Sequence, residues 1–130
     1  MLVDNNPKVP SRIKALIEKT GPSPLPVLTA MAQQLVAQGA DFLAMPCNTA
    51  HHFYAELASA VDVPFLNIME LVARHIAASQ PSAKRVGLLA SSALSHIRLY
   101  EPSFGNRNME TVYPEASQQR QLMALVQAIK

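Results

Sequence analysis

Cysteine is almost missing from this sequence: Cys47 is the only one in 130 residues. One cysteine closes no internal disulfide, which excludes a stapled secreted scaffold and a cysteine-based zinc site. There are four histidines with a single adjacent pair, His51-His52, so no metal-ligand spacing of the HExxH kind exists. Glycine is scarce, at four residues, and no GxGxxG or Walker loop is present to cradle phosphate. Charged residues make up only 15%, with 11 Lys/Arg and 9 Asp/Glu scattered along the chain. That is too little charge for a disordered tail, and it leaves no basic stripe for nucleic acid or anionic lipid. No apolar run is long enough to span a bilayer. The opening Met-Leu-Val-Asp-Asn-Asn turns polar too soon for a signal peptide. The expectation is a soluble, cytoplasmic chain with no metal and with neither nucleic acid nor membrane as partner.

Apolar residues account for 49% of the chain, enough for a real core. They alternate between short runs and longer helical periods, the pattern of α/β units with parallel strands. Leu2-Val3 reads as the tail of a strand, ended by the turn cluster Asp4-Asn5-Asn6-Pro7. Residues 11 to 20 read as a helix capped by Ser11, with Ile13, Leu16 and Ile17 on one face and Gly21-Pro22 as its stop. Pro24 and Pro26 open a second helix that carries Leu28, Met31, Leu35 and Val36, with Gly39 as its C-terminal cap. Asp41 to Met45 reads as a buried strand ended by Pro46, followed by a helix from Thr49 or Ala50 with Phe53, Leu57 and Val61 inward. Val63 to Leu66 is a further short strand. Ile68, Leu71, Val72 and Ile76 mark the next helix. Ser79 to Lys84 is a polar linker. Arg85 to Ala90 reads as a second buried strand, and Ser91-Ser92 as the cap of a helix with Ile97, Leu99 and Tyr100. Met109 to Tyr113 is a strand. Leu122, Leu125, Val126 and Ile129 belong to a helix that runs to Lys130. The expected fold class is therefore α/β, with parallel sheets flanked by helices.

One string carries chemistry: Met45-Pro46-Cys47-Asn48-Thr49-Ala50-His51-His52. It sits at the carboxyl end of a strand and just before a helix, where open α/β sheets bind ligands. Free backbone N–H groups and the helix dipole there favour an anion and lower the pKa of a thiol. Asn48 and Thr49 carry donors for a carboxylate, or equally serve as helix caps. A lone cysteine is by default an inert core atom. One of the two histidines is read as a surface or packing residue, because an imidazolium is disfavoured in a first helical turn.

The string Pro46-Cys47-Asn48-Thr49-Ala50-His51, after the entry Gly39-Ala40-Asp41-Phe42, resembles the aspartate/glutamate racemase family. Two further segments agree in order and approximate spacing. Asn6-Pro7-Lys8-Val9-Pro10-Ser11-Arg12 is similar to the family's Asn-Pro…Ile-Pro-Asp-Arg segment, and Gly87-Leu88-Leu89-Ala90-Ser91 to its Gly-Leu-Leu-Ala-Thr strand. The resemblance covers essentially the whole chain. It implies a cofactor-independent amino-acid racemase built from two similar α/β lobes, each giving one cysteine as acid or base, and a homodimer. It makes Cys47 the catalytic base of the first lobe. It also implies that Asn48, Thr49, Arg12, Ser91 and Lys130 bind substrate.

The first lobe is then residues 1–80, without its opening strand, and residues 81–130 are part of the second. In this reading the chain is truncated at both ends. The family's Gly-rich opening strand and its Gly-Cys-Thr-Glu segment, the source of the second cysteine, have no match here. Ser91-Ser92-Ala93-Leu94 stands where the family has Thr, a variable residue, Gly and Thr. The alternatives are an inactive truncated member and a single-cysteine, decarboxylase-like relative.

Overall fold

The structure is a computed structural model and describes residues 1–129; the Lys130 assignment lies outside the described residues. The chain divides into two compact units, the first Met1–Ile68 and the second from Met69 onward. Each contains a two-stranded parallel sheet with helices, the expected α/β class. The sequence sets the division at 80/81. The units divide one helix earlier, and Glu70 of that helix forms a two-pronged ion pair with Arg107 of the second unit.

In the first unit, Ser11 caps α1 (Arg12–Leu16) by accepting from the Lys14 N–H at 3.3 Å. The helix is shorter than the expected 11–20. The N–H groups of Thr20 and Gly21 fold back onto the Lys14 carbonyl, and a Cβ at Gly21 would lie 2.8 Å from that of Lys14. α2 (Leu25–Ala37) begins where proline costs nothing, with Pro24 before it and Pro26 in its first turn. It ends as expected at Gly39, whose φ of +90° suits glycine. Strands β1 (Leu43–Ala44) and β2 (Phe65–Leu66) pair in parallel, Leu43 opposite Phe65 and Ala44 opposite Leu66.

A 3-10 helix, Thr49–Phe53, follows β1 and continues into α3 (Tyr54–Ser59). The expected α-helix from Thr49 is thus delayed by one tight turn. Phe53 and Leu57 are buried as expected, whereas Val61 lies beyond α3 and is only half-buried. α3 packs on α2, where Gln33 donates to the Ala60 carbonyl at 3.3 Å.

The second unit opens with α4 (Ile68–Ser79), which starts at the last residue of the first. Its buried side chains are Met69 and Ala73, while Val72 is exposed, so the inward face is turned from the one expected. β3 (Arg85–Gly87) and β4 (Glu110–Val112) pair in parallel. α5 (Ser92–Ile97) stops before Leu99 and Tyr100, because Arg98 adopts a left-handed conformation. A separate helix α6 (Glu101–Gly105), which the sequence pattern did not reveal, follows with Pro102 in its first turn. α6 packs on β4 and buries Phe104. α7 (Ala116–Ile129) has no buried residue.

One expectation is corrected in both units. β1 and β3 are not buried strands: Ala44, Arg85 and Gly87 are exposed, as are Phe42 and Leu89 beside them. Among the described residues each strand has one neighbour, so one edge and part of a face stay open. Apolar runs here mark sheet strands without guaranteeing cover.

Burial separates the helices energetically. Leu57 is 1% exposed and Leu125 63%. Leu57→Ala is expected to cost about 2–5 kcal/mol through a cavity, and Leu125→Ala less than about 0.5 kcal/mol. Urea unfolding followed by far-ultraviolet circular dichroism checks both; equal losses contradict this core.

Candidate active site

Pro46 has no N–H for a sheet ladder, and β1 ends just before it. The Cys47 N–H turns back to the Met45 carbonyl at 2.8 Å, a tight turn around Pro46. Cys47 therefore lies past the carboxyl end of the strand, directly before the 3-10 helix. Its thiol is free and half-buried.

Three groups meet the sulfur. The Thr49 hydroxyl lies 3.6 Å away, the Ala50 N–H donates to it, and the Arg12 guanidinium faces it from α1. Burial alone raises a thiol's pKa, since it disfavours the charged form. Against that, the Ala50 N–H, the Thr49 hydroxyl and Arg12, through charge and hydrogen bonding, bring Cys47 below the ordinary thiol value. The arrangement favours a thiolate, the nucleophilic and basic form. The sign of the linkage follows. With the folded pKa below the unfolded one, this contribution to stability is complete above the unfolded value and is lost as pH falls through the folded value.

Arg12 reaches the Pro10 carbonyl only at 3.5 Å, and its Nε is buried without a hydrogen-bond acceptor. A buried cationic donor left unmatched is costly, and a guanidinium suits a carboxylate in two-pronged geometry. Asn48 precedes the 3-10 helix and is exposed, but its side chain makes no capping bond there.

The structure brings together Cys47, Thr49 and Arg12, with Asn48 adjacent in the chain. Ser91 belongs to the second unit, where it precedes α5 without a side-chain capping bond. Leu94 is 3% exposed and is a core residue of that unit. The first unit also contains an apolar cleft of about 120 Å³ lined by Leu28, Met31, Leu35, Leu43 and Phe65. None of Cys47, Thr49 and Arg12 lines it.

Sequence reasoning missed His51. Its ring is 4% exposed and spans from the Cys47 carbonyl to the start of α4, whereas His52 is exposed. The available signal was spacing: a ring four residues past a strand-end carbonyl can reach back to it.

Replacing Arg12 by glutamine removes the positive charge beside the sulfur. The pH midpoint of Cys47 alkylation by iodoacetamide is expected to move upward, and His52→Gln to leave it unchanged. An unmoved midpoint in Arg12→Gln contradicts the assigned electrostatics.

Comparison with known proteins gives the family. The family model described as Asp/Glu/hydantoin racemase matches residues 1–130. The broad specificity amino-acid racemase RacX of Bacillus subtilis is 32% identical over 99 residues, covering 76% of this chain and 42% of RacX. The solved Picrophilus torridus aspartate racemase is similar with a TM-score of 0.81 and 30% identity, over 96% of this chain and 51% of that one. An aspartate racemase homologue from Pyrococcus horikoshii gives a TM-score of 0.66 and 25% identity, over 75% of this chain and 42% of that one. The chain thus spans about half the length of these relatives or somewhat less. On a match that runs through all 130 residues, the chain belongs to the Asp/Glu/hydantoin racemase family.

Proposed function

We propose that this chain carries the first-lobe cysteine base of an amino-acid racemase acting on aspartate or glutamate. The observation that carries the reading is the thiol of Cys47, placed past the end of β1 and stabilised as thiolate by Ala50, Thr49 and Arg12. The thiolate takes the Cα proton and becomes the thiol, and the C–H electron pair moves into the α-carboxylate as an ene-diolate. Return of a proton from the same sulfur gives exchange with retention. Inversion needs an acid on the opposite face, which the family resemblance assigns to a second cysteine.

A Cα proton is a very weak acid, so donors to the developing oxyanion and exclusion of water must lower the barrier. Arg12, Asn48 and Thr49 are the carboxylate-binding groups in this reading, and the unmatched Arg12 Nε supports it. Ser91 and Lys130 stand as contributions from the second lobe. In this reading the two compact units belong to two similar α/β lobes. The proton-transfer group is a side chain, so the reading invokes no cofactor. It also takes the protein as a cytoplasmic homodimer, and an unpaired, reactive cysteine suits a reducing compartment. No helix among the described residues is long and apolar enough to cross a membrane.

The test is loss of the Cα proton signal of D- and L-aspartate and D- and L-glutamate in heavy water, followed by NMR. Exchange is expected with at least one enantiomer. Cys47→Ser is expected to slow it by about a hundredfold or more, the usual span of a general base. No exchange with any of the four, or equal exchange by Cys47→Ser, overturns the proposal.

A further inference from the structure

In an α-helix the His51 N–H would donate to the Cys47 carbonyl, four residues back. Here it donates to the Asn48 carbonyl at 3.1 Å, the three-residue spacing of a 3-10 helix. The Cys47 carbonyl is instead met by the ring of His51, with Nδ1 at 2.9 Å. A carbonyl oxygen only accepts, so Nδ1 carries the hydrogen. The other ring nitrogen, Nε2, lies 3.3 Å from the Ile68 N–H, which only donates. Nε2 therefore presents its lone pair, and the ring is the neutral Nδ1–H tautomer. The Leu66 carbonyl, 3.4 Å from Nε2, receives no hydrogen in this state. Tyr54 stacks on the ring at 6.1 Å between centroids and donates to the Phe65 carbonyl at 3.1 Å.

The ring has a consequence for the sulfur. In a 3-10 helix the Ala50 N–H would close on the Cys47 carbonyl, three residues back. That carbonyl is met by the His51 ring, which lies four residues on. The ring also ties the Cys47 peptide to Ile68, just past the end of β2. An open strand end is thereby held at a fixed place.

We propose that His51 is a positioning residue for Cys47: its ring takes the Cys47 carbonyl on one side and the Ile68 N–H on the other, and so fixes the peptide that carries the thiol. The proposal rests on Cys47 being the reactive thiol, and it is tested without reference to racemisation. Iodoacetamide alkylation of Cys47 is followed against pH in the full chain, with circular dichroism on every variant.

His51→Phe keeps a buried ring and removes both hydrogen bonds. Its alkylation midpoint is expected to move up by about one pH unit, slowing reaction near neutrality about tenfold. His51→Asn keeps a donor at the position of Nδ1 and is expected to restore most of the rate. His51→Gln, which places its amide where Nε2 was, is not. An unmoved midpoint in folded His51→Phe overturns the proposal. If that variant unfolds, the Asn and Gln variants decide, and equal midpoints in those two overturn it. Absence of Cα exchange with intact alkylation shifts overturns the racemase reading and leaves this one standing.

Discussion

Pro46 has no N–H to offer a neighbouring strand, and the site depends on that constraint. β1 stops before it, the chain bends around it, and Cys47 emerges beyond the carboxyl edge of the sheet. Parallel pairing of Leu43 with Phe65 and Ala44 with Leu66 sets how far that edge extends. The bend also brings the Cys47 carbonyl to the His51 ring. A residue able to continue the ladder would leave the thiol on a strand, away from the backbone donor that now meets it.

The chemistry of the sulfur is a contest between burial and donors. Burial opposes the thiolate, and a neutral environment of the same depth would yield an inert thiol. The balance is reversed by one backbone N–H, one hydroxyl and one guanidinium, drawn from two segments far apart in sequence. Arg12 is the first residue of the short α1, directly after its cap Ser11. The short 3-10 helix matters as well: its three-residue spacing sends the His51 N–H to the Asn48 carbonyl and leaves the Cys47 carbonyl to the His51 ring.

Much of this was legible in the sequence, and the reasons differ by element. Ser11, Pro24, Pro26 and Gly39 act through their own backbone chemistry, so their caps and stops could be read one residue at a time. Placement of Cys47 past a strand followed from the apolar run Asp41 to Met45 and its stop at Pro46. The contact between Arg12 and Cys47 was not legible from spacing. It came from resemblance, because 34 residues of chain lie between them. The separate α6 was hidden because the left-handed turn at Arg98 uses a residue type that rarely adopts it. The exposed faces of β1 and β3 were misread because an apolar run reports what a strand can bury and not what covers it. The role of His51 was hidden because a first-turn histidine is judged by its charge, whereas here the neutral ring acts as both donor and acceptor.

The central claim is that the fold holds Cys47 as a thiolate more readily than water does. The most direct measurement is the titration of the thiolate ultraviolet absorbance in the native chain and in the same chain unfolded in urea, with Cys47→Ser subtracted from each. A native midpoint below the unfolded one is the predicted result. A native midpoint equal to or above the unfolded one means that burial wins over Ala50, Thr49 and Arg12, and it contradicts the account.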